Sequence, residues 1–340
     1  MVELNAKEEP PIEPGRGIID PHLHLWEVFD APGGAIMPQR FFTPDAAAMI
    51  AASGHNITHT VFLECGTMYR AAGPRELRCV GETEFVRGQA AMADSGHYGP
   101  ARIGHRIVGM ADLTLGERVA EVLEAHVEAG GVRFRGIRTR TASREAGMFG
   151  HACNPALHGV LARPEFLAGA RVLAKMDLSL DVWMFHPQLH ELVGLADAVP
   201  DLAIVLDHIG TPDLLGPYAG REDEAFAEWS AALTALAKRP NVAIKIGGMG
   251  MDMDGAIGSV QRNQSSGILA ELWRPRIETC IAAFGPSRAM FESNFPPDNA
   301  TASYGATWNA FLRVVANYSE SEKDALFRRT AAQFYRIDLD

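Results

Sequence analysis

The chain has 340 residues, 47% of them hydrophobic, and a formal net charge of -11 at pH 7. This length and hydrophobic content exclude a disordered protein, and the negative charge argues against a nucleic-acid partner. We expect no membrane association, because no apolar run approaches the roughly 18 residues of a membrane span. The acidic, proline-containing residues 1–16 are unlike a secretory signal and predict an N-terminal strap before a single domain at 17–340.

The cysteine content predicts neither disulfides nor a structural zinc site. Cys65, Cys79, Cys153 and Cys280 show no Cys-x-x-Cys spacing. A reducing, cytoplasmic location therefore fits best. A homo-oligomeric state stays open.

Short apolar runs alternate with longer amphipathic stretches, which predicts strands followed by helices. The predicted strands are 17–20, 58–63, 106–111, 134–137, 179–184, 203–206, 242–246 and 289–291. The predicted helices are 44–53, 77–93, 116–129, 188–198, 222–237, 266–284, 304–317 and 319–335. This order predicts a (β/α)8 TIM barrel, an α/β fold with eight parallel strands and extra C-terminal helices. An open doubly wound sheet would need a glycine-rich phosphate turn after an early strand, and the chain has none there.

Polar and ionisable residues stand at the ends of most predicted strands. In a barrel of this kind the catalytic groups lie at the C-terminal ends of the strands. The residues concerned are His22, His24, Glu64, Arg138, Arg140, His186, Asp207, His208, Lys245, Glu292, Ser293 and Asn294. So regular a placement is difficult to attribute to scattered surface charge.

The stretch from Asp20 to His24 is the most specific of these motifs. Side chains two positions apart on a strand point to the same face, so His22 and His24 project together. Two neutral imidazoles in this arrangement suit one divalent ion, zinc or manganese. The alternative is a chance pair of histidines.

In their order along the chain, the motifs resemble the amidohydrolase-related family of the amidohydrolase superfamily. Within it they look most like the group of sugar-lactone and 2-pyrone-4,6-dicarboxylate lactonases. The resemblance rests on residues 19–26, 134–138, 200–210, 241–245 and 290–296. It implies a barrel hydrolase that opens a lactone with an activated water.

The resemblance also implies roles for individual histidines. His22 and His24 correspond to metal ligands, and His186 is similar to a histidine that completes the metal site in metal-dependent relatives. His208 corresponds to an acid/base or carbonyl-polarising group. One divalent metal is implied, with zinc ahead of manganese, although some lactonases of this group work without metal. Glu64 is a candidate catalytic residue or a partner that orients an imidazole.

The chain departs from the family pattern at Asn294, where relatives usually carry an aspartate that takes a proton from the attacking water. An amide cannot act as that base. The base has then moved to His208, Glu64, Glu292 or Asp298, or the reaction is not simple hydrolysis. A third alternative is a site that binds a ligand without catalysis.

Arg138 and Lys245 are predicted to bind a substrate carboxylate, because guanidinium groups bind carboxylates in a bidentate manner. The alternative for both is an internal ion pair with Glu64 or Glu292. Tyr69, in a loop at 66–76, and a glycine- and methionine-rich loop at 247–266 are predicted to face a partly apolar substrate.

The sequence therefore predicts a metal-dependent hydrolase that opens a lactone or cyclic ester of a small, anionic molecule. His208, Asn294 and Glu64 are the predicted catalytic residues. A nonoxidative decarboxylase or hydratase on the same metal centre is the alternative reaction. A non-catalytic ligand-binding barrel is the alternative outside enzymes.

Overall fold

Ten strands build the fold of the computed structural model, which describes residues 9–27, 40–143, 154–214, 216–251 and 263–339. In chain order they are β1 Ile18–Leu23, β2 Trp26–Glu27, β3 Arg40–Phe41, β4 Ile57–Leu63, β5 Arg102–Gly109, β6 Phe134–Arg140, β7 Ser179–Trp183, β8 Ile204–Leu206, β9 Val242–Ile246 and β10 Ala289–Phe291. Strands β2 and β3 form a small antiparallel pair. The other eight strands form one parallel sheet.

The eight parallel strands follow the order β1-β4-β5-β6-β7-β8-β9-β10, and each pairs with the next. The two ends of this sheet meet just beyond β10, where Leu23 and Phe295 form a parallel bridge. His24 N also donates to Phe295 O at 2.8 Å. The sheet is therefore a nearly closed barrel, and the predicted TIM-barrel fold is confirmed.

Ten α-helices accompany these strands in the described part of the chain. They are α1 Thr43–Ser53, α2 Val80–Asp94, α3 Val119–Gly130, α4 Pro164–Lys175, α5 Leu189–Ala198, α6 Glu222–Ala237, α7 Ser266–Phe284, α8 Tyr304–Val314, α9 Glu320–Asp324 and α10 Thr330–Tyr335. Helix α4 was not among the predicted helices. Pro164 stands in its first turn, where proline suits a helix, and Gly169 lets it approach the backbone of Leu113 closely.

The buried apolar side chains form two clusters. The larger one is the main hydrophobic core and contains large side chains such as Trp229 and Trp273. The smaller one includes Ile19, Val61, Val205 and Met290 from the barrel strands and Ala331 and Tyr335 from α10. None of the described helices combines the length and the apolar character needed to cross a membrane.

Residues 9–16 of the predicted strap contact three helices, α7, α8 and α9, the last through ion pairs of Glu13 and Arg16. The Glu9 carboxylate accepts hydrogen bonds from the backbone N (2.7 Å) and the hydroxyl of Ser266, at the start of α7. Asn309 of α8 donates to Pro10 O at 3.0 Å and accepts from Ile12 N at 2.9 Å. Residues 1–8 lie outside the described part of the chain, and the division into strap and barrel stays a prediction.

We predict that Glu9→Ala lowers the free energy of unfolding by about 1 kcal/mol, the typical loss when a side chain that caps a helix start is removed. Urea denaturation of the two proteins measures the difference. Glu128→Ala, at an exposed position of α3, is the matched control and should change stability little. Equal effects of both substitutions would contradict a stabilising role for the strap.

Candidate active site

Glu292 lies at the centre of the polar side chains that gather at the C-terminal ends of the strands. Its Oε1 accepts hydrogen bonds from His208 Nδ1 (2.7 Å) and His208 N (3.0 Å), while Oε2 lies 2.7 Å from His22 Nδ1. Burial alone would raise the pKa of Glu292, but His208 and His22 outweigh it and hold the pKa well below its usual range. Glu292 is therefore an ionised carboxylate shared by two imidazoles.

Charged groups of the protein surround the nitrogens of both imidazoles. Arg138 Nη1 lies 3.2 Å from His22 Nε2, and Lys245 Nζ lies 3.3 Å from His22 Nδ1, the nitrogen next to Glu292. His208 directs its Nδ1 hydrogen to the ionised Glu292, which leaves its Nε2 for other chemistry. Burial alone would lower the pKa of His208, but Glu292 raises it above the ordinary histidine value.

Arg138 and Lys245, the predicted carboxylate-binding residues, are both paired with carboxylates of the protein. Arg138 Nε lies 2.9 Å from Glu64 Oε1, and its guanidinium also donates to Glu64 O. Lys245 Nζ lies 2.7 Å from Asp181 Oδ2 and 3.1 Å from Asp207 Oδ1. This geometry favours the internal ion pair with Glu64 as the alternative for Arg138. Lys245 also forms internal ion pairs, but with Asp181 and Asp207 rather than with the expected Glu64 or Glu292. Their predicted role toward substrate stays a prediction.

Asn294, at the position of the family aspartate, connects His24 to a carboxylate four residues further along the chain. Its Oδ1 lies 3.3 Å from His24 Nε2, and its Nδ2 donates to Asp298 Oδ1 at 2.6 Å. Asp298 also accepts from Gly250 N at 2.9 Å. Burial raises the pKa of Asp298 to about 7. A titratable carboxyl thus stands directly behind the amide.

The structure brings together a metal-capable group that differs from the predicted set. Possible ligand atoms of His22, Asp207 and His208 all lie within 4.8 Å of one another. The ring centroid of His24 lies 4.9 Å from that of His22, so His24 is a near neighbour of this group. His186 Nδ1 accepts from Asp213 N at 2.8 Å instead. The predicted set of His22, His24 and His186 stays a prediction.

The residues of this group suit a divalent ion by donor type. Imidazole nitrogens and a carboxylate are ligands that zinc and manganese accept. Four fully or nearly fully buried carboxylates lie in or beside this group with two buried cations. The carboxylates are Glu64, Asp181, Asp207 and Glu292, and the cations are Arg138 and Lys245. Arg140 also pairs with Glu64, and the pKa of His208 is raised. An ion on His22 Nε2 would replace its hydrogen bond with Arg138.

Two buried acids that support the site carried weak signals in the sequence. Asp181 lies inside the fully buried strand β7, where a charged residue already indicates a buried partner. Glu82 of α2 accepts from the backbone N of Cys65, Gly66 and Thr67 at 2.9–3.0 Å. Burial, with Glu64 nearby, raises the pKa of Glu82 to about 8. No spacing in the sequence connects Glu82 to the loop it holds.

The two loops predicted to face the substrate are described in part. Tyr69, in the loop after β4, is 38% exposed, and burial raises the pKa of its hydroxyl. In the loop after β9, Met249 is buried and Gly250 contacts Asp298. Residues 252–262 of the predicted loop at 247–266 lie outside the described residues.

The chain matches the family model described as "Amidohydrolase" over residues 19–337. It belongs to this amidohydrolase family. The resemblance inferred from the motifs is thereby confirmed, and the chain is an enzyme of the amidohydrolase superfamily. This family member is 34% identical over 332 residues to an uncharacterized protein, y4mH, of Sinorhizobium fredii (strain NBRC 101917 / NGR234), covering 94% of this chain and 98% of the relative. It is 28% identical over 329 residues to an L-fucono-1,5-lactonase of Burkholderia multivorans, with 94% and 96% covered.

Solved structures support the fold of this amidohydrolase. An amidohydrolase from Burkholderia multivorans with bound HEPES superimposes with a TM-score of 0.72 at 24% identity, covering 95% of this chain and 100% of the other. A crystal form of that enzyme contains zinc and gives a TM-score of 0.71 at 23% identity, with the same coverage. A 5-carboxyvanillate decarboxylase from Novosphingobium aromaticivorans, with manganese, gives 0.60 at 14% identity, covering 99% and 100%.

We predict that the stability of this enzyme depends on pH through Asp298. Between its ordinary pKa of 3.8 and the raised value of about 7, the folded state holds a proton that the unfolded chain has released. Its contribution to stability is therefore present at low pH and lost as the pH rises through this interval. Asp298→Asn removes this pH dependence. Between pH 5 and pH 8 its free energy of unfolding should therefore rise by about 1–3 kcal/mol relative to that of the parent protein.

Urea denaturation at pH 5 and pH 8 measures this change in relative stability. Asp201→Asn, at an exposed position, is the control and should track the parent protein at both pH values. A pH-independent difference between Asp298→Asn and the parent would show that Asp298 stays ionised throughout.

Proposed function

We propose that this enzyme opens a lactone or cyclic ester of a small carboxylated molecule by attack of an activated water. The observation that carries this proposal is the Glu292 carboxylate shared by His22 and His208. It orients two imidazoles at the barrel end where such enzymes place their chemistry. The lactonase name of a relative with 28% identity supports the same reaction class. The predicted cytoplasmic location and anionic substrate are parts of this proposal.

A divalent metal is the second part of the proposal, with zinc ahead of manganese. His22 and Asp207 would hold it, with His24 as their neighbour, while His186 stays a predicted ligand. When bound, such an ion polarises a carbonyl and lowers the pKa of a water molecule. Lys245 and His208 outweigh the effect of burial on Asp207 and keep its pKa below the usual value, so this carboxylate is ionised and ready to bind a cation.

His208 is the proposed general base. Glu292 accepts the hydrogen on Nδ1, so Nε2 presents its lone pair at pH values above the raised pKa of His208, the arrangement that a carboxylate produces in other base-type histidines. Asn294 contributes a hydrogen bond rather than a proton acceptor. His208 also belongs to the metal-capable group, so it can serve either as the base or as a metal ligand. We assign it as the base.

We expect His208→Asn to lower kcat by about a hundredfold or more, the usual scale for a lost general base, while its metal content equals that of the parent enzyme. Kinetics on a lactone substrate, with elemental analysis of the same samples, separate the two roles. Loss of metal along with activity would identify His208 as a ligand. His190→Asn, an exposed histidine of α5, is the matched control.

The reaction class is tested on a panel of neutral lactones, carboxylated lactones and aromatic carboxylic acids. We expect turnover of carboxylated lactones, and its loss on treatment with a chelator, with recovery on addition of zinc or manganese. Activity that withstands complete metal removal would place the enzyme with the metal-free lactonases.

Release of carbon dioxide from the acids without lactone turnover would instead assign a decarboxylase. The neutral Asn294 favours that second candidate, because decarboxylation needs no strong base beside a water. Tight binding with no turnover of any compound would indicate a non-catalytic binding barrel.

A further inference from the structure

A cavity of about 450 Å³ opens beside the proposed catalytic centre, between the ends of β4, β5 and β6 and the start of α4. Glu64 and Arg138 form the wall that separates it from His22, since Arg138 contacts His22 Nε2 on its other side. The cavity therefore lies directly next to the proposed catalytic side chains. Its volume is in the range of small-molecule sites.

Part of the lining of this cavity is apolar. Leu113, Val160 and Phe166 are buried and line it together with the half-buried Met110 and Leu157. These side chains come from the segment after β5, from the turns that precede α4 and from α4 itself. These apolar side chains favour a ring or hydrocarbon chain over a fully hydroxylated sugar, because they offer no hydrogen-bond partners. Thr114, Thr139 and Asn154 supply polar groups elsewhere in the lining.

The lining also carries more basic than acidic side chains. The basic residues are Arg75, Arg138 and Arg140, and the acids are Glu64 and Asp112. Asp112 accepts from both the N and the hydroxyl of Thr114, which ties its carboxylate to its own loop. In a chain with a net charge of -11, a cationic cavity wall is a specific feature that attracts an anion.

Arg140 is better placed than Arg138 to bind that anion. Three groups of the protein already occupy Arg138: Glu64, Asp207 and His22. The Arg140 side chain is 40% exposed, and within the described ranges its ion pair joins only Nε to Glu64 Oε1, at 3.1 Å. Its two Nη groups can therefore face a carboxylate in the cavity.

We propose that this cavity binds the part of the substrate that is not cleaved, with an apolar ring or chain against Leu113, Val160 and Phe166 and a carboxylate on Arg140. This inference rests on the proposed function and deepens it, since it defines the substrate as an apolar carboxylate. Arg140 thereby becomes a specificity-determining residue.

Equilibrium binding of benzoate and of benzamide tests this inference without any turnover. The two probes share the ring, and only benzoate carries a charge. Isothermal titration calorimetry on the full chain should show benzoate binding at least about tenfold more tightly, the usual scale of a charged hydrogen bond. Arg140→Met should remove this preference by weakening benzoate alone, and Arg140→Lys should restore part of it.

Val160→Trp fills the apolar part of the cavity and should weaken the binding of both probes by tenfold or more. Such a loss would show that the probes bind in the cavity rather than at the catalytic centre. Arg171→Met, at an exposed position of α4, is the matched control and should leave both affinities unchanged. Thermal melting of every variant verifies that it folds. Equal affinities for the two probes, a preference that survives Arg140→Met, or unchanged binding in Val160→Trp would each overturn the inference.

The binding and turnover measurements can each reject one proposal without rejecting the other. Lactone turnover without a benzoate preference would overturn this cavity's role and leave the proposed hydrolysis intact. A benzoate preference that depends on Arg140, without lactone turnover, would support the cavity and reject the reaction.

Discussion

Lys245 is a fully buried cation, and the interior of the barrel depends on its ion pairs with Asp181 and Asp207. An unpaired buried charge costs several kcal/mol, so the strands that carry these three side chains must keep their relative register. Tyr335 of α10 donates to Asp181 Oδ2 at 2.6 Å and ties the last helix to the same layer. One cation therefore connects β7, the end of β8, β9 and α10.

Glu292 and Asp298 show how local contacts decide where protons reside above this layer. Both carboxyls are buried, which by itself favours the neutral form. Glu292 faces two imidazoles and has a lowered pKa, whereas Asp298 faces an amide and a backbone N–H and has a pKa raised to about 7. The permanent negative charge thus lies between His22 and His208, and the titratable carboxyl lies behind Asn294.

The barrel itself follows from local properties of the sequence. Buried parallel strands are nearly continuous in apolar residues, and helices are amphipathic. Their alternation can therefore be recognised in the sequence without knowing which elements pack together. Strand β5 begins at Arg102, earlier than predicted, because its first half mixes Arg102, Gly104 and His105 with apolar residues. Helix α4 was missed because it follows a long segment whose turns gave no clear boundary. Packing against neighbouring elements influences where a helix or strand begins and ends more than it influences whether the element forms.

The sequence by itself determined that the polar residues gather at one end of the barrel, because parallel strands bring all their C-terminal ends to the same side. Only the tertiary structure decided which of these residues pair. Arg138 and Glu64 are 74 residues apart, and His208 and Glu292 are 84 apart. Electrostatic energy depends on distance in space and on burial, not on separation along the chain. For that reason the sequence does not show that the buried Arg138 and the half-exposed Arg140 both pair with Glu64.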